Sequence, residues 1–258
     1  MRFLFNSEKS GLSSPQPYPV SARVPELHDA ELAAVYYGQR MGGDFYDFLR
    51  VSPNRVLFGL LDVAGQFNEN GLITSSAQQT FRTLGTQLLA AEEVNEADAM
   101  IELYHQLNRT ILNAAGKVRS CPGFAGCYNE SLGIICYFNA GHIPGLLRDG
   151  GGVAELPATG LPLGLFSHAT CDAYMTTLQP GASLLLVSRG IVESKCGGEE
   201  LGLESVKELF QRSRAEGAKE LCLAVLDHVQ QFMCTPPTHN DVTALSLTRH
   251  SASAPTRN

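Results

Sequence analysis

Apolar residues recur with two different periods along the chain, and the changes of period predict the order of strands and helices. Residues 31–39, 44–51 and 55–62 have strand-like patterns, and the last of these runs is apolar at almost every position. A run that is apolar on both faces is typical of a strand buried on both sides. Because short turns separate the three runs, we expect them to form an antiparallel meander.

After Gly65 the spacing of apolar residues becomes helical. Two amphipathic helices are predicted, one with a stripe of Ile73, Ala77, Phe81, Leu84 and Leu88 and the next with Met100, Tyr104, Leu107 and Ile111. Strand-like runs return at 116–127, 132–138, 143–147, 173–178 and 184–187, followed by helical patterns at 199–213 and 218–232 and a strand at 241–248. This order predicts a layered α+β sandwich in one domain.

Both ends of the chain lack hydrophobic periodicity. Residues 7–19 are rich in Ser, Pro and Gly, and the last residues, 250–258, are polar. We therefore expect 1–23 to be an N-terminal arm or linker and 250–258 to be a disordered tail. The folded domain is predicted to span 24–249.

Composition and charge exclude several classes of partner. The net charge is −7 with no basic run, so the sequence predicts no binding to nucleic acid. No apolar stretch reaches 18 residues and the N-terminal apolar run is too short for a signal peptide, so we expect no membrane association. The seven cysteines are an odd number and lie mostly in apolar segments, which favours buried, reduced thiols in a cytoplasmic protein.

Two acidic residues are the first candidates for chemistry. Asp62 ends the apolar run 55–62, where an isolated carboxylate costs several kcal/mol to desolvate unless it is paired or binds a cation. Asp44 follows Gly42 and Gly43, which permit a close approach of the backbone to a ligand. On adjacent strands the two carboxylates would converge on one hard cation such as Mg or Mn. The residues alone leave open the alternative that each Asp only caps a turn.

Seven short motifs carry a resemblance to a known family. They are GGDFYD (42–47), DVAG (62–65), LNR (107–109), NAGH (139–142), GLPLG (160–164), GIVE (190–193) and DVT (241–243). In this order they resemble the metal-dependent PPM protein phosphatases, specifically the SpoIIE/RsbU branch of bacterial stress and sporulation regulators, over 24–249. The resemblance implies a four-layer α/β/β/α sandwich of two antiparallel sheets flanked by helix pairs.

The same resemblance implies which residues hold metal and act in catalysis. The family uses two Mn or Mg ions, and by motif Asp62 would bridge them, the Val63 carbonyl would bind the first, and Asp44 would support it. The motifs also place Gly43 close to this site. Asp44 and Asp62 are therefore the expected catalytic residues.

The second ion is expected to lose its ligands in this chain. The family has an Asp where Arg189 precedes Gly190, and an Asp where Asn240 precedes Asp241. A guanidinium repels a cation, whereas Asp241 could still act as a ligand. We expect Arg189 to pair with Asp62 and one ion to bind rather than two.

Two further residues near these motifs have competing interpretations. His142 could act as a general acid, but a structural role in the NAGH turn is favoured. Arg40 could contact an incoming phosphate, and the competing interpretation, a solvated Arg at a strand end, is favoured.

These features support two functional hypotheses. The first is a metal-dependent phosphoserine/phosphothreonine phosphatase whose activity is weakened at the second ion. The second is a catalytically inactive pseudophosphatase that acts as a regulatory binding module. The phosphatase would act on a phosphoprotein, whereas the pseudophosphatase would recognise a phosphorylated or unphosphorylated partner. In this family the usual partner is a STAS-type anti-sigma-factor antagonist, and the sequence is compatible with a homodimer.

Overall fold

The computed structural model describes residues 23–37, 43–63, 67–115, 120–234 and 241–251. Its strands are β1 (Ala30–Tyr37), β2 (Asp44–Ser52), β3 (Arg55–Asp62), β4 (Gly123–Asn129), β5 (Ile134–Ala140), β6 (Gly145–Asp149), β7 (Gly152–Leu156), β8 (Tyr174–Thr177), β9 (Ser183–Val187), β10 (Lys195–Cys196), β11 (Glu199–Glu200) and β12 (Val242–Arg249). Its helices are α1 (Phe67–Leu89), α2 (Glu96–Ala115), α3 (Arg189–Val192), α4 (Gly202–Arg212) and α5 (Ala218–Phe232).

Two five-stranded antiparallel sheets form the centre of the fold. The strand order is β1-β12-β9-β6-β7 in sheet A and β2-β3-β4-β5-β8 in sheet B, and β10 and β11 form a separate small hairpin. Helices α1 and α2 pack on sheet B, and α4 and α5 pack on sheet A. The predicted four-layer α/β/β/α sandwich is therefore confirmed.

Three apolar cores lie between the four layers, and β3 contributes side chains to two of them. Leu57 and Leu61 point into the core shared with α1 and α2. Val56, Phe58 and Leu60 point into the core between the sheets. Every residue of β3 is buried, as the unbroken apolar run predicts. A third core, between sheet A and α4/α5, completes the sandwich.

The predicted three-stranded meander is wrong, because β1 belongs to sheet A. Strands β2 and β3 do form a hairpin, in which Ser52 and Arg55 face each other. β1 instead pairs with β12 along its whole length. β1 ends at Tyr37 and β2 begins at Asp44, so the two strands are not joined by the two-residue loop that favours a hairpin.

Element boundaries agree best where the helical pattern is long. The predicted helix 218–232 is α5 at both ends, whereas the predicted strand 116–127 begins only at Gly123. The predicted arm and tail lie almost entirely outside the described residues. Within the described part of the chain, no helix is long and apolar enough to cross a membrane.

The cysteine prediction is correct for five residues and wrong for two. Cys121, Cys127, Cys136, Cys171 and Cys222 are buried free thiols. Cys196 and Cys234 form a disulfide, with Cα atoms 5.1 Å apart. Cys196 lies in the β10–β11 hairpin and Cys234 just after α5, outside the large apolar elements. At these positions the surrounding side chains do not exclude solvent from the sulfur.

Candidate metal centre

Asp44 and Asp62 lie directly opposite each other at one end of sheet B. Asp44 begins β2, Asp62 ends β3, and the two are partners in the antiparallel register. The corresponding end of sheet A brings Arg189, which follows β9, and Thr243, near the start of β12, to the same place. The predicted convergence of the two carboxylates is therefore present.

Arg189 contacts the carboxylate of Asp62. Its Nε donates to Asp62 Oδ2 at 2.9 Å, and Nη2 lies 2.8 Å from the same oxygen. The side chain of Arg189 is 44% exposed and that of Asp62 is 12% exposed, so the guanidinium reaches solvent while the carboxylate is mostly buried. Burial raises the pKa of Asp62, and the charge of Arg189 opposes this rise.

Asp44 is held by residues of the opposite sheet. The hydroxyl of Thr243 donates to Asp44 Oδ2 at 2.7 Å. Burial of the carboxyl group, and then the charge of Asp62, raises the pKa of Asp44 to about 8. Two carboxylates this close disfavour each other's ionised form, and a bound cation would remove that repulsion.

The Val63 carbonyl is fixed by close backbone packing. Val63 N donates to Gly43 O at 3.2 Å, and Asn70 Nδ2, from α1, donates to Val63 O at 3.0 Å. A Cβ on Gly43 would lie 2.0 Å from Val63 O, so a larger residue does not fit there. Asn70 is not among the predicted site residues, and its signal in the sequence is a polar residue on the buried side of a helix.

Asp241 is a third acid near this pair, and its charge adds to the effect of burial in raising the pKa of Asp62. Tyr36 donates its hydroxyl hydrogen to Asp241 Oδ1 at 2.7 Å. The Ser188 hydroxyl donates to Asp241 O at 3.1 Å and accepts from Thr243 N at 3.0 Å. Tyr36 and Ser188 were also missed, because nothing in the sequence pairs them with a residue of another strand.

His142 makes the contacts of a structural residue. Its Nδ1 lies 3.0 Å from Ile143 O, and since a carbonyl can only accept, this nitrogen carries the proton. The backbone N of His142 donates to Asn139 Oδ1 at 2.8 Å, and Gly141 supplies the positive φ of 66° that the turn needs. Burial, together with the charge of Arg189, lowers the pKa of His142 to about 4. Within the described residues, Nε2 has no hydrogen-bond partner.

The remaining predicted positions are only partly visible. Gly190 is buried in α3, where its carbonyl accepts a hydrogen bond from Ser194 Oγ at 2.7 Å. Arg40 and Asn240 lie outside the described residues. In the described ranges, no group of three or more His, Cys, Asp or Glu residues is arranged to hold a metal. Of the residues that the family motifs assign to the first ion, Asp44, Asp62 and Val63 are all described.

Comparisons with known proteins agree with this architecture. The model of the family "Stage II sporulation protein E (SpoIIE)" matches residues 52–250. Two relatives from Bacillus subtilis (strain 168) are the phosphoserine phosphatase RsbP, 27% identical over 67% of this chain, and the phosphoserine phosphatase RsbU, 22% identical over 89%. The chain spans 42% of the length of RsbP and 66% of that of RsbU.

Solved structures show the same fold. A structure of RsbU and RsbW domains from Mycobacterium tuberculosis has a TM-score of 0.71 at 22% identity, covering 90% of this chain and 62% of that one. The PP2C phosphatase domain of SpoIIE from Bacillus subtilis has a TM-score of 0.70 at 14% identity, covering 86% and 63%. With a family match over most of its length, the chain belongs to the SpoIIE family of PPM-type phosphatases.

Proposed function

We propose that this chain is a metal-dependent phosphoserine/phosphothreonine phosphatase domain in which Arg189 takes the place of the second ion, so that hydrolysis is weak. The observation that carries the proposal is the contact of Arg189 Nε and Nη2 with Asp62 Oδ2. An Asp at position 189 would be a cation ligand, whereas Arg189 is itself a fixed cation.

The half-site of Asp44, Asp62 and the Val63 carbonyl fits one ion. Both guanidinium contacts are to Asp62 Oδ2, and within the described residues Oδ1 receives no hydrogen bond. Asp44 faces Asp62, and burial, followed by the charge of Asp62, raises its pKa. Oxygen ligands of this kind suit Mn and Mg.

The second position does not fit an ion. At about 4 Å and an effective dielectric near 20, a guanidinium and a dication repel each other by roughly 8 kcal/mol, an upper-end figure. Asp241, the remaining acid on this side, already accepts a hydrogen bond from Tyr36. Arg189 and Asn240 thus replace two ligands of the same ion.

Weak hydrolysis follows from the loss of one ion. In two-metal phosphatases the ions supply an activated water and neutralise the phosphoryl oxygens. In this chain Arg189 can neutralise charge beside Asp62, but a guanidinium cannot lower the pKa of a bound water as a metal does. Each 1.36 kcal/mol of lost transition-state stabilisation lowers the rate about tenfold.

A second candidate, a pseudophosphatase that binds its partner without turnover, is favoured by the same ion pair. Arg189 compensates the charge of Asp62 without any metal, so the domain can fold with these acidic residues in place when no ion is bound. The phosphatase would act on a phosphoprotein, and the pseudophosphatase would bind the same protein in its phosphorylated or unphosphorylated form. The names of RsbP and RsbU specify phosphoserine, and a STAS-type anti-sigma-factor antagonist is the partner class we propose.

Titration calorimetry with Mn tests the proposal directly. We expect at most one site of useful affinity, abolished in Asp62→Asn and retained in Asp149→Asn, a change at the exposed β6–β7 turn. Hydrolysis of an aryl phosphate measured on the same samples should be far below that of a complete two-metal phosphatase. Two tight sites per chain, or a full rate of turnover that Asp62→Asn abolishes, would contradict the account of Arg189.

A further inference from the structure

The disulfide between Cys196 and Cys234 is the feature of the molecule that the proposed function does not use. The other five cysteines are buried, and burial raises the pKa of Cys171 to about 11 and that of Cys136 to about 12. Such thiols are inert. Cys196 is partly exposed and Cys234 is exposed, so the accessible cysteine chemistry of the chain is concentrated in this one bond.

The disulfide joins the two segments that carry the second-ion side of the site. Cys196 follows α3, which begins at Arg189, and Cys234 lies between α5 and Asp241. At the site, the Ser188 hydroxyl bridges the same two segments through Asp241 O and Thr243 N. Two kinds of link therefore join these segments: the hydrogen bonds of Ser188 and the disulfide. We call this disulfide the Cys196–Cys234 clasp.

Hydrogen bonds connect the clasp to Arg189. The β10–β11 hairpin that contains Cys196 is flanked by Ser194 and Leu201, and Leu201 N donates to Ser194 O at 2.9 Å. Ser194 Oγ in turn donates to Gly190 O at 2.7 Å, inside the single turn of α3. A constraint on the hairpin therefore limits the movement of the turn that positions Arg189.

The ligands of the proposed single ion lie outside the clasped segments. Asp44, Asp62 and Val63 belong to the β2–β3 hairpin of sheet B and its end, whereas Arg189 follows β9 of sheet A. Opening the clasp would therefore leave the ligands in place and free only the cation that competes with the ion for Asp62. A cross-link stabilises mainly by restricting alternative conformations of the chain that it closes.

We propose that the Cys196–Cys234 clasp is a redox-sensitive site that holds Arg189 on Asp62 when oxidised and releases it when reduced, so that reduction strengthens cation binding. This inference rests on the proposed competition between Arg189 and a cation. In the cytoplasm, the compartment that the sequence predicts, disulfides are rare and are usually redox-sensing or catalytic. The cellular reductant is a dithiol: its two hydrogens pass to the cysteine sulfurs, the Cys196–Cys234 bond breaks, and the dithiol becomes a disulfide.

The first test establishes the state of the clasp. Protein purified without reductant and treated with iodoacetamide under denaturing conditions should leave two cysteines, 196 and 234, unlabelled. After a phosphine reductant, which takes oxygen from water to become a phosphine oxide, both should be labelled by mass spectrometry. Labelling of both before reduction would overturn the proposal.

The second test measures Mn affinity by calorimetry in oxidised and reduced protein. We expect reduction to tighten binding about fivefold or more, the lower end of common coupling between sites. The double variant Cys196→Ser with Cys234→Ser should bind like the reduced protein and should not respond to the phosphine. Equal affinities in the oxidised and reduced wild-type protein would overturn the clasp.

Arg189→Ala separates this proposal from the proposed function. If both are correct, the variant binds Mn tightly in either redox state, because the competing cation is gone. A variant that still tightens on reduction shows that the clasp does not act through Arg189, which overturns the inference. A variant that binds Mn no better than the oxidised parent shows instead that Arg189 does not compete for Asp62, and the proposed function fails.

Discussion

A single side chain, Arg189, sets the charge balance at the ends of the two sheets. Its guanidinium lies against Asp62, while Asp44 and Asp241 take hydrogen bonds from Thr243 and Tyr36. Each of these contacts joins segments that are distant in the sequence. The residue at position 189 therefore decides whether a side chain of the protein or a bound metal ion neutralises these carboxylates.

Replacing Arg189→Asp together with Asn240→Asp should restore the second ion. Arg189→Asp alone leaves a neutral amide at position 240, and Asn240→Asp alone still faces the guanidinium, so the effects should be strongly non-additive. The metal-free double variant should melt below the parent, because its carboxylates lack a counterion. Added Mn should raise the melting temperature of the double variant far more than that of the parent.

Arg212→Asp is the matched control for this charge reversal. Arg212 pairs only loosely with Glu208 on the exposed face of α4, and its side chain is 79% exposed. Its replacement should leave the Mn-induced shift of the melting temperature as in the parent. Equal shifts in the parent and the double variant would show that residues 189 and 240 do not lie at a metal site.

Two glycines give opposite predictions for the same substitution. Gly43→Ala would place a methyl group 2.0 Å from Val63 O, and the backbone must move to accept it. We expect a loss of about 3 kcal/mol in the free energy of unfolding and weaker Mn binding. Gly71→Ala in α1 meets no atom within 4 Å and should stabilise by about 0.5–1 kcal/mol. Thermal unfolding of both variants is the measurement, and a stable Gly43→Ala would contradict the packing of this turn.

Part of the site could be predicted from the sequence because local signals mark it. The apolar run before Asp62 and the glycines before Asp44 indicate two carboxylates at strand ends, and the structure brings them together. Tyr36, Ser188 and Asn70 could not be found in this way. Their partners are Asp241, Thr243 and Val63, which lie in or next to strands, and a hydrogen bond to such a residue leaves no periodicity in the sequence.

Helix α1 is fastened to sheet B by a buried ion pair. Asp47 of β2 is completely buried and accepts two hydrogen bonds from Arg82, Nε to Oδ2 at 2.6 Å and Nη2 to Oδ1 at 2.7 Å. Gln78 Nε2 donates to the same carboxylate at 3.1 Å. Asp47 lies three residues after Asp44 on the same strand, so this pair links α1 to the strand that carries the site.

Breaking this pair should destabilise the domain strongly and asymmetrically. Arg82→Ala leaves a fully buried carboxylate without its cation and should cost about 3–5 kcal/mol. Asp47→Ala should cost less, because the side chain of Arg82 is 27% exposed and can turn toward water. The double variant should be less unstable than the sum of the two. Urea unfolding measures all three, with Lys207→Ala, at an exposed pair with Glu204, costing under about 1 kcal/mol as control.

Secondary structure was predictable where one pattern dominates, and strand pairing was not. The helical stripe of α5 and the apolar run of β3 each fix an element through their own residues. The pairing of β1 with β12 depends on contacts between the two ends of the domain. Neighbouring position in the sequence therefore predicted the wrong partner for β1.

For the whole domain, His142 should make stability depend on pH. The pKa of His142 is lowered to about 4 in the folded state, against 6.5 for the free side chain. Below pH 6.5 the unfolded chain binds a proton at His142 that the folded chain does not, so the contribution of His142 to stability falls by about 3 kcal/mol as the pH drops from 6.5 to 4. Above pH 6.5 this contribution is constant.

The variant His142→Asn isolates this contribution. An Asn amide can replace the Nδ1 hydrogen bond to Ile143 O but does not titrate. The free energy of unfolding of the variant, relative to that of the parent, should therefore rise by about 3 kcal/mol as the pH falls from 6.5 to 4. Identical slopes in the parent and His142→Asn would refute the burial argument.

The pairing of β1 with β12 also decides how the domain responds to mechanical force. Ala30 begins β1 and faces Arg249 at the end of β12, so the chain enters and leaves this strand pair at the same end. Tension along the polypeptide would load the hydrogen bonds of the ladder one after another, as in a zipper, rather than together in shear. Peeling would reach Tyr36 and its bond to Asp241 only after about 20 Å of ladder had separated.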